Sequence, residues 1–136
     1  MKASDRFKSD APLAGFRVLV AENEVLIALT AEEMLNEAGA EEIVVATRVE
    51  EALKYLNHSP AFDAAVIDLN LGAGIDLSLA TAARQNRVPF VFATGYGSLE
   101  MLPVHLADVP IVAKPYTVGA LVTAVREIAD RSGGAS

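Results

Sequence analysis

Five short, nearly continuous apolar runs rich in β-branched or aromatic residues recur along this chain: Phe16 to Val20, Ile43 to Ala46, Ala64 to Ile67, Phe90 to Ala93 and Ile111 to Ala113. Runs of this length and character read as strands buried on both faces. Between them the apolar residues follow helical spacing. Ile27, Ala31, Met34, Leu35 and Ala38 precede the second run, Val49, Ala52, Leu53 and Leu56 precede the third, and Val118, Leu121, Val122, Val125, Ile128 and Ala129 follow the last. Strictly alternating strands and helices require right-handed crossovers, which lay the strands parallel and cover the sheet on both faces. The expected fold class is therefore α/β, a doubly wound five-stranded parallel sheet in the order 2-1-3-4-5.

Boundary residues agree with this division. Gly39 is placed to close the first helix, and Thr47 with Glu50 forms a capping-box pattern that opens the second. A third helix is expected over Asp76 to Asn86. A fourth, around Ser98 to Leu106, contains Pro103 and should be short, kinked or late-starting. With 136 residues, 52% of them hydrophobic, the chain has material for one core and no room for a second domain. Residues 1–14 are expected to be a flexible N-terminal segment, 15–131 the domain and 132–136 a flexible tail.

The chain has no cysteine, which excludes disulfides, thiolate metal sites and thiol nucleophiles. Its 18 acidic against 11 basic residues give a net charge of −7, which repels nucleic acid phosphates and anionic lipid. There is no apolar leader-like stretch near the N-terminus and no run long enough to span a bilayer. Neither nucleic acid nor membrane is expected as a partner, and the expected localisation is cytoplasmic.

In open doubly wound sheets the ligand site lies outside the carboxyl ends of the strands, at the switch point beside strands 1 and 3. Polar residues collect at those ends. The first strand runs into Glu22-Asn23-Glu24, the third into Asp68-Leu69-Asn70, the fourth into Thr94-Gly95-Tyr96-Gly97 and the fifth into Lys114-Pro115-Tyr116. A single Asp after a strand most often caps the following turn, and Glu22 could be a helix N-terminal acid. Four coincident polar strand ends favour a common site instead, because a carboxylate leaving a dry strand needs a cation or donors. His58 and His105 read as surface residues, and neither joins a hydrolase triad.

These residues resemble the receiver domains of bacterial two-component response regulators, from Phe16 to about Arg131. The acidic pair after the first strand is similar to Glu22 and Asn23, the phosphoacceptor to Asp68, the hydroxyl residue after the fourth strand to Thr94, and the lysine-proline after the fifth to Lys114-Pro115. Phe92-Ala93-Thr94-Gly95-Tyr96-Gly97 further resembles a subgroup with a Phe-Ala-Thr-Gly-Tyr-Gly signature, many of whose members stand alone and are served by atypical histidine kinases. The resemblance implies the flavodoxin-like (βα)5 receiver fold and phosphorylation of Asp68 by a histidine kinase. It implies a Mg²⁺ ion held by Glu22, Asn23, Asp68 and the backbone carbonyl of Asn70, with Thr94 and Lys114 on the phosphoryl oxygens and a cis Lys114-Pro115 bond. Such a domain assists its own phosphorylation and dephosphorylation without being a conventional enzyme. Its partners would be the kinase and a histidine phosphotransfer protein or another downstream protein, and the chain itself a monomer or weak homodimer.

Two positions depart from the family pattern. Asn23 stands where an aspartate is usual. A unit-charge pair about 4 Å apart is worth at most ~4 kcal/mol at an effective dielectric near 20, but losing a carboxylate also removes its desolvation cost and its repulsion from Asp68. Mg²⁺ binding should therefore be weakened and not abolished. Ile111 stands where Tyr or Phe often forms a switch, which shifts the expected readout to Thr94, Tyr96 and the segment from Gly97 to Leu106. The alternative reading is a protein-binding module on the same fold that signals without phosphorylation. A flavin- or nucleotide-binding enzyme is disfavoured by the acidic loop after the first strand and by the lack of a phosphate-binding glycine motif.

Overall fold

The computed structural model describes residues 11–58, 61–70, 77–95 and 102–135. Its strands are β1 (Arg17–Ala21), β2 (Glu42–Ala46), β3 (Ala64–Asp68), β4 (Phe90–Thr94) and β5 (Ile111–Ala113). All pairs are parallel, in the order β2-β1-β3-β4-β5, as the alternation of elements requires. The helices are α1 (Val25–Glu37), α2 (Val49–His58), α3 (Ser78–Gln85) and α4 (Val118–Ala135), with one 3-10 turn at Val104–Leu106.

The sheet divides two cores by the period-2 alternation of its side chains. Leu19, Ile67, Phe90 and Phe92 face α2, α3 and the 3-10 turn. Val18, Val20, Val66, Val91 and Val112 face α1 and α4. Residues paired across β1, β3 and β4, such as Ala21 with Ile67 and Asp68 with Ala93, bring the carboxyl ends of the strands to a common level.

Gly39 closes α1 as its sequence position suggests, at φ +99°, with its N–H on the Asn36 carbonyl at 3.0 Å and that of Ala40 on Leu35 at 3.1 Å. This is the Schellman arrangement, which needs a left-handed residue at that point. A side chain there would also meet the Ala11 Cβ at 2.8 Å. The same pair of bonds ends α3, from Arg87 to Arg84 and from Val88 to Ala83, but with Arg87 at φ 59° in the left-handed position.

Several local expectations are corrected. The acid that reaches back at the start of α2 is Glu51, not Glu50: its carboxylate accepts the Thr47 N–H at 3.1 Å. The first helical bond goes to the Arg48 carbonyl, so the helix starts one residue later than the capping-box spacing from Thr47 implies. The fourth expected helix is, among the described residues, a single 3-10 turn beginning directly after Pro103. Proline offers no N–H to continue a preceding helical turn. Its expected start, Ser98 to Met101, lies outside the described residues, as does Asp76 at the expected start of α3. Leu13, on the N-terminal side of the expected boundary at residue 15, is fully buried and donates its N–H to the Ala38 carbonyl at 2.9 Å. Helix α4 continues past Arg131 to Ala135. Among the described residues no helix is long and apolar enough to cross a membrane.

Candidate functional site

The strand alternation carries past the strand ends and selects which side chains meet. The Glu22 N–H still bonds the Ala46 carbonyl at 3.0 Å, and the Lys114 N–H the Thr94 carbonyl at 2.9 Å, so both residues keep strand geometry. Val18, Val20 and Glu22 therefore point to one face, as do Ala64, Val66 and Asp68, and Val112 and Lys114. Two acids and one base converge on the α1/α4 face of the sheet. Thr94 follows Phe90 and Phe92 and leaves the sheet on the opposite face, where Ile111 also packs.

Glu22 is fully buried, and Asp68 is 2% exposed. Lys114 Nζ lies between them, 3.1 and 3.3 Å from the Glu22 carboxylate oxygens and 3.1 Å from Asp68 Oδ2. The exposed Glu24 carboxylate is a third neighbour of the ammonium at 3.8 Å. Backbone donors hold both buried acids: the Glu24 N–H donates to Glu22 at 3.1 Å and the Asn70 N–H to Asp68 Oδ1 at 3.0 Å. The Lys114-Pro115 bond is cis.

One lysine does not balance two buried carboxylates. Burial, and after it the negative charge of Asp68, push Glu22 up from its usual 4.5 to about 7, against the opposing pull of the Glu24 N–H and Lys114. Burial works against the Lys114 ammonium, but the hydrogen bonds and charges of Asp68 and Glu22 outweigh it, and the net shift is upward.

Asp68 and Lys114 open onto a cleft of about 600 Å³ whose walls include Asn23, Asn70, Gly95 and Pro115. Asn23 and Asn70 are exposed along it, whereas Thr94 is 6% exposed with its Oγ1 buried and unbonded. The structure thus brings Asn23, Asp68, Asn70 and Lys114 to one cleft, with Glu22 buried against Lys114 and Thr94 buried next to Gly95 of the cleft wall. Tyr96 lies outside the described residues. His58 and His105 are exposed. Two neighbours were not singled out from sequence as site residues. Glu24 belongs to the same acidic run as Glu22, and Tyr116, directly after Lys114-Pro115, buries a second unbonded hydroxyl.

The donor set suits a hard cation with few protein ligands. Among the described residues no group of three or more His, Cys, Asp or Glu forms a metal cluster. A cation here would have two buried carboxylates, one in excess of the lysine charge, with amide and carbonyl oxygens at the cleft. Mg²⁺ accepts all-oxygen ligands and commonly keeps several waters, so this set fits it.

No protein-family model matches the chain, and no curated protein does. Solved structures do match. A response regulator receiver protein from Sinorhizobium medicae is 26% identical, with a TM-score of 0.76 over 87% of this chain and 97% of that one. A CheY-like response regulator receiver domain protein from Methanospirillum hungatei is 20% identical, with a TM-score of 0.78 over 90% and 100% of the two chains. The receiver domain of the Francisella response regulator 1452 is 24% identical, with a TM-score of 0.72 over 87% and 99%. The last two are similar in fold alone.

Proposed function

We propose that this chain is a two-component receiver domain whose Asp68 accepts a phosphoryl group from the phosphohistidine of a histidine kinase. The observation that carries this reading is Lys114 Nζ held at 3.1 Å from Asp68 at the floor of an open cleft, with Glu22 as its second partner. An Asp68 carboxylate oxygen attacks phosphorus, the P–N bond breaks, and the imidazole leaves. The attacking and transferred groups are both negative, so the protein's contribution is position and charge neutralisation. Lys114 neutralises one phosphoryl oxygen, and Thr94 Oγ1 has a free donor for another. A Mg²⁺ held by Asp68, Glu22, the Asn23 side chain and the Asn70 carbonyl would supply the remaining positive charge.

Exposed Val25, Leu26 and Leu29 at the start of α1, next to Ile27 on the cleft wall, offer a partner protein an apolar face beside the reacting carboxylate. The kinase and a downstream protein, such as a histidine phosphotransfer protein, are the partners this reading requires. The test is incubation with acetyl phosphate and Mg²⁺ followed by intact mass measurement. The wild type should gain the mass of one phosphoryl group and Asp68→Ala should not. A wild type that gains nothing from acetyl phosphate or from a phosphorylated kinase supports the second reading, a binding module without phosphorylation, which the neutral Asn23 favours.

A further inference from the structure

Glu24 stands at the head of α1, and its side chain does not cap the helix. Its carbonyl accepts the Ala28 N–H at 2.9 Å, but its carboxylate makes no bond to the N–H groups of the first turn. A shorter Ser, Thr, Asp or Asn would satisfy one of those groups, so helix initiation does not account for a glutamate here. The carboxylate instead lines the cleft, 3.8 Å from Lys114 Nζ, with the side chain 62% exposed.

Lys114 already faces two buried carboxylates, Glu22 at 3.1 Å and Asp68 at 3.1 Å. Its single charge is committed to that pair, so Glu24 adds negative charge on the solvent side of the cleft. Among the described residues of the cleft wall, Lys114 is the only base. A phosphoryl donor must pass Glu24 on its way to Asp68. For a small donor free in solution, itself an anion, Coulomb repulsion opposes the approach and few other contacts compensate. A protein donor also meets the exposed Val25, Leu26 and Leu29 that follow Glu24 on α1, and burial of that apolar face offsets the repulsion. We propose that Glu24 is a specificity-determining residue of the cleft: it disfavours small anionic phosphodonors and leaves Asp68 to a protein-bound phosphohistidine. The inference rests on the phosphoacceptor reading and adds to it a selection among donors.

The test compares the full chain with Glu24→Gln, which removes the charge and keeps the length of the side chain, at saturating Mg²⁺ and with each donor well below saturation. Near neutral pH acetyl phosphate is a dianion, whereas phosphoramidate, protonated on nitrogen, is a monoanion. With either, an Asp68 oxygen attacks phosphorus, and the P–O bond to acetate or the P–N bond to ammonia breaks. Followed by intact mass, Glu24→Gln should be phosphorylated by acetyl phosphate about 3- to 5-fold faster than the wild type at low ionic strength. The gain should be smaller with phosphoramidate and should fall away in high salt. A purely structural role at the head of α1 would change urea stability without a gain that follows donor charge and salt. A rate with acetyl phosphate at low salt that is unchanged or lower overturns the proposal. So does a gain that persists in high salt or is no larger for acetyl phosphate than for phosphoramidate. If neither protein gains phosphoryl mass from either donor, the phosphoacceptor reading fails and takes the inference with it. Adduct formation at equal rates in the two proteins refutes the role of Glu24 alone.

Discussion

Replacing Glu22 by Gln tests whether the site carries an unbalanced buried charge. The Glu22 carboxyl is fully buried and raised from 4.5 to about 7 by burial and by Asp68. A folded pKa above the unfolded one means that the folded protein holds the proton more tightly. The associated stability is complete below about pH 4.5 and is lost as pH rises through about 7. The full difference corresponds to about 3 kcal/mol. The neighbouring charges and dipoles relax around the carboxylate and damp its charge, so about 1–2 kcal/mol is the expected effect. Glutamine is nearly isosteric and keeps an oxygen to accept from the Glu24 N–H and Lys114, but it has no charge to bury. Urea unfolding followed by circular dichroism, in EDTA, should show the variant close to wild type near pH 5 and about 1–2 kcal/mol more stable near pH 8. Acids remote from the site titrate equally in both proteins and cancel in the difference. A wild-type-to-variant difference that is constant with pH, or that turns toward the wild type as pH rises, would refute the charge imbalance.

Three further outcomes are expected. Asn23→Asp adds a carboxylate at the cleft wall and should tighten Mg²⁺ binding by roughly 5-fold, about 1 kcal/mol for an exposed, screened ligand; an unchanged affinity by calorimetry would contradict Asn23 as a ligand position. Gly39→Ala places a Cβ 2.8 Å from that of Ala11 at φ +99° and should cost about 1–3 kcal/mol of stability in urea. Arg87→Gly relieves a left-handed residue at φ 59° and should gain about 0.5 kcal/mol, since the strain relieved exceeds the extra freedom of the unfolded chain. A neutral Gly39→Ala or a destabilising Arg87→Gly would count against the two helix ends as described.

The sheet was legible because its strands are apolar on both sides, and the same dryness made Asp68 and Lys114 conspicuous where the polar residues begin. Strand order followed from the alternation with helices. The start of α2 was harder, since Glu50 and Glu51 stand side by side and only the helix phase decides which one reaches Thr47. In the segment before β5, Pro103 marked where regular structure would be cut short, and among the described residues only the 3-10 turn after it forms. Leu13 was hidden by its polar and short-chain neighbours; a lone leucine has no period to reveal that it plugs the end of α1. Tyr116 could be core or rim by sequence, and only its packing shows it buried with its hydroxyl.

The face on which each site residue emerges was implicit in the alternation all along, and it bears on how the site can report its state. Glu22, Asp68 and Lys114 share the α1/α4 face, whereas Thr94 and Ile111 belong to the α2/α3 face. On the phosphoacceptor reading, a phosphoryl group on Asp68 bonded to Lys114 and Thr94 would tie both faces together. Its effects would then divide: through Lys114 and the start of α4 on one side, and through Thr94, Ile111 and the 3-10 turn on the other. Ile111 has no hydroxyl to follow Thr94, so movement on that second side would be transmitted by packing against Leu106 and Phe92. The polar route lies on the first side, where Tyr116 sits directly before the Thr117 side chain, which accepts the Ala120 N–H at 3.2 Å to cap α4. That cap lies three residues after Lys114, so a movement of Lys114 toward the phosphoryl group would reach the start of α4 along the chain, without requiring an aromatic side chain at position 111.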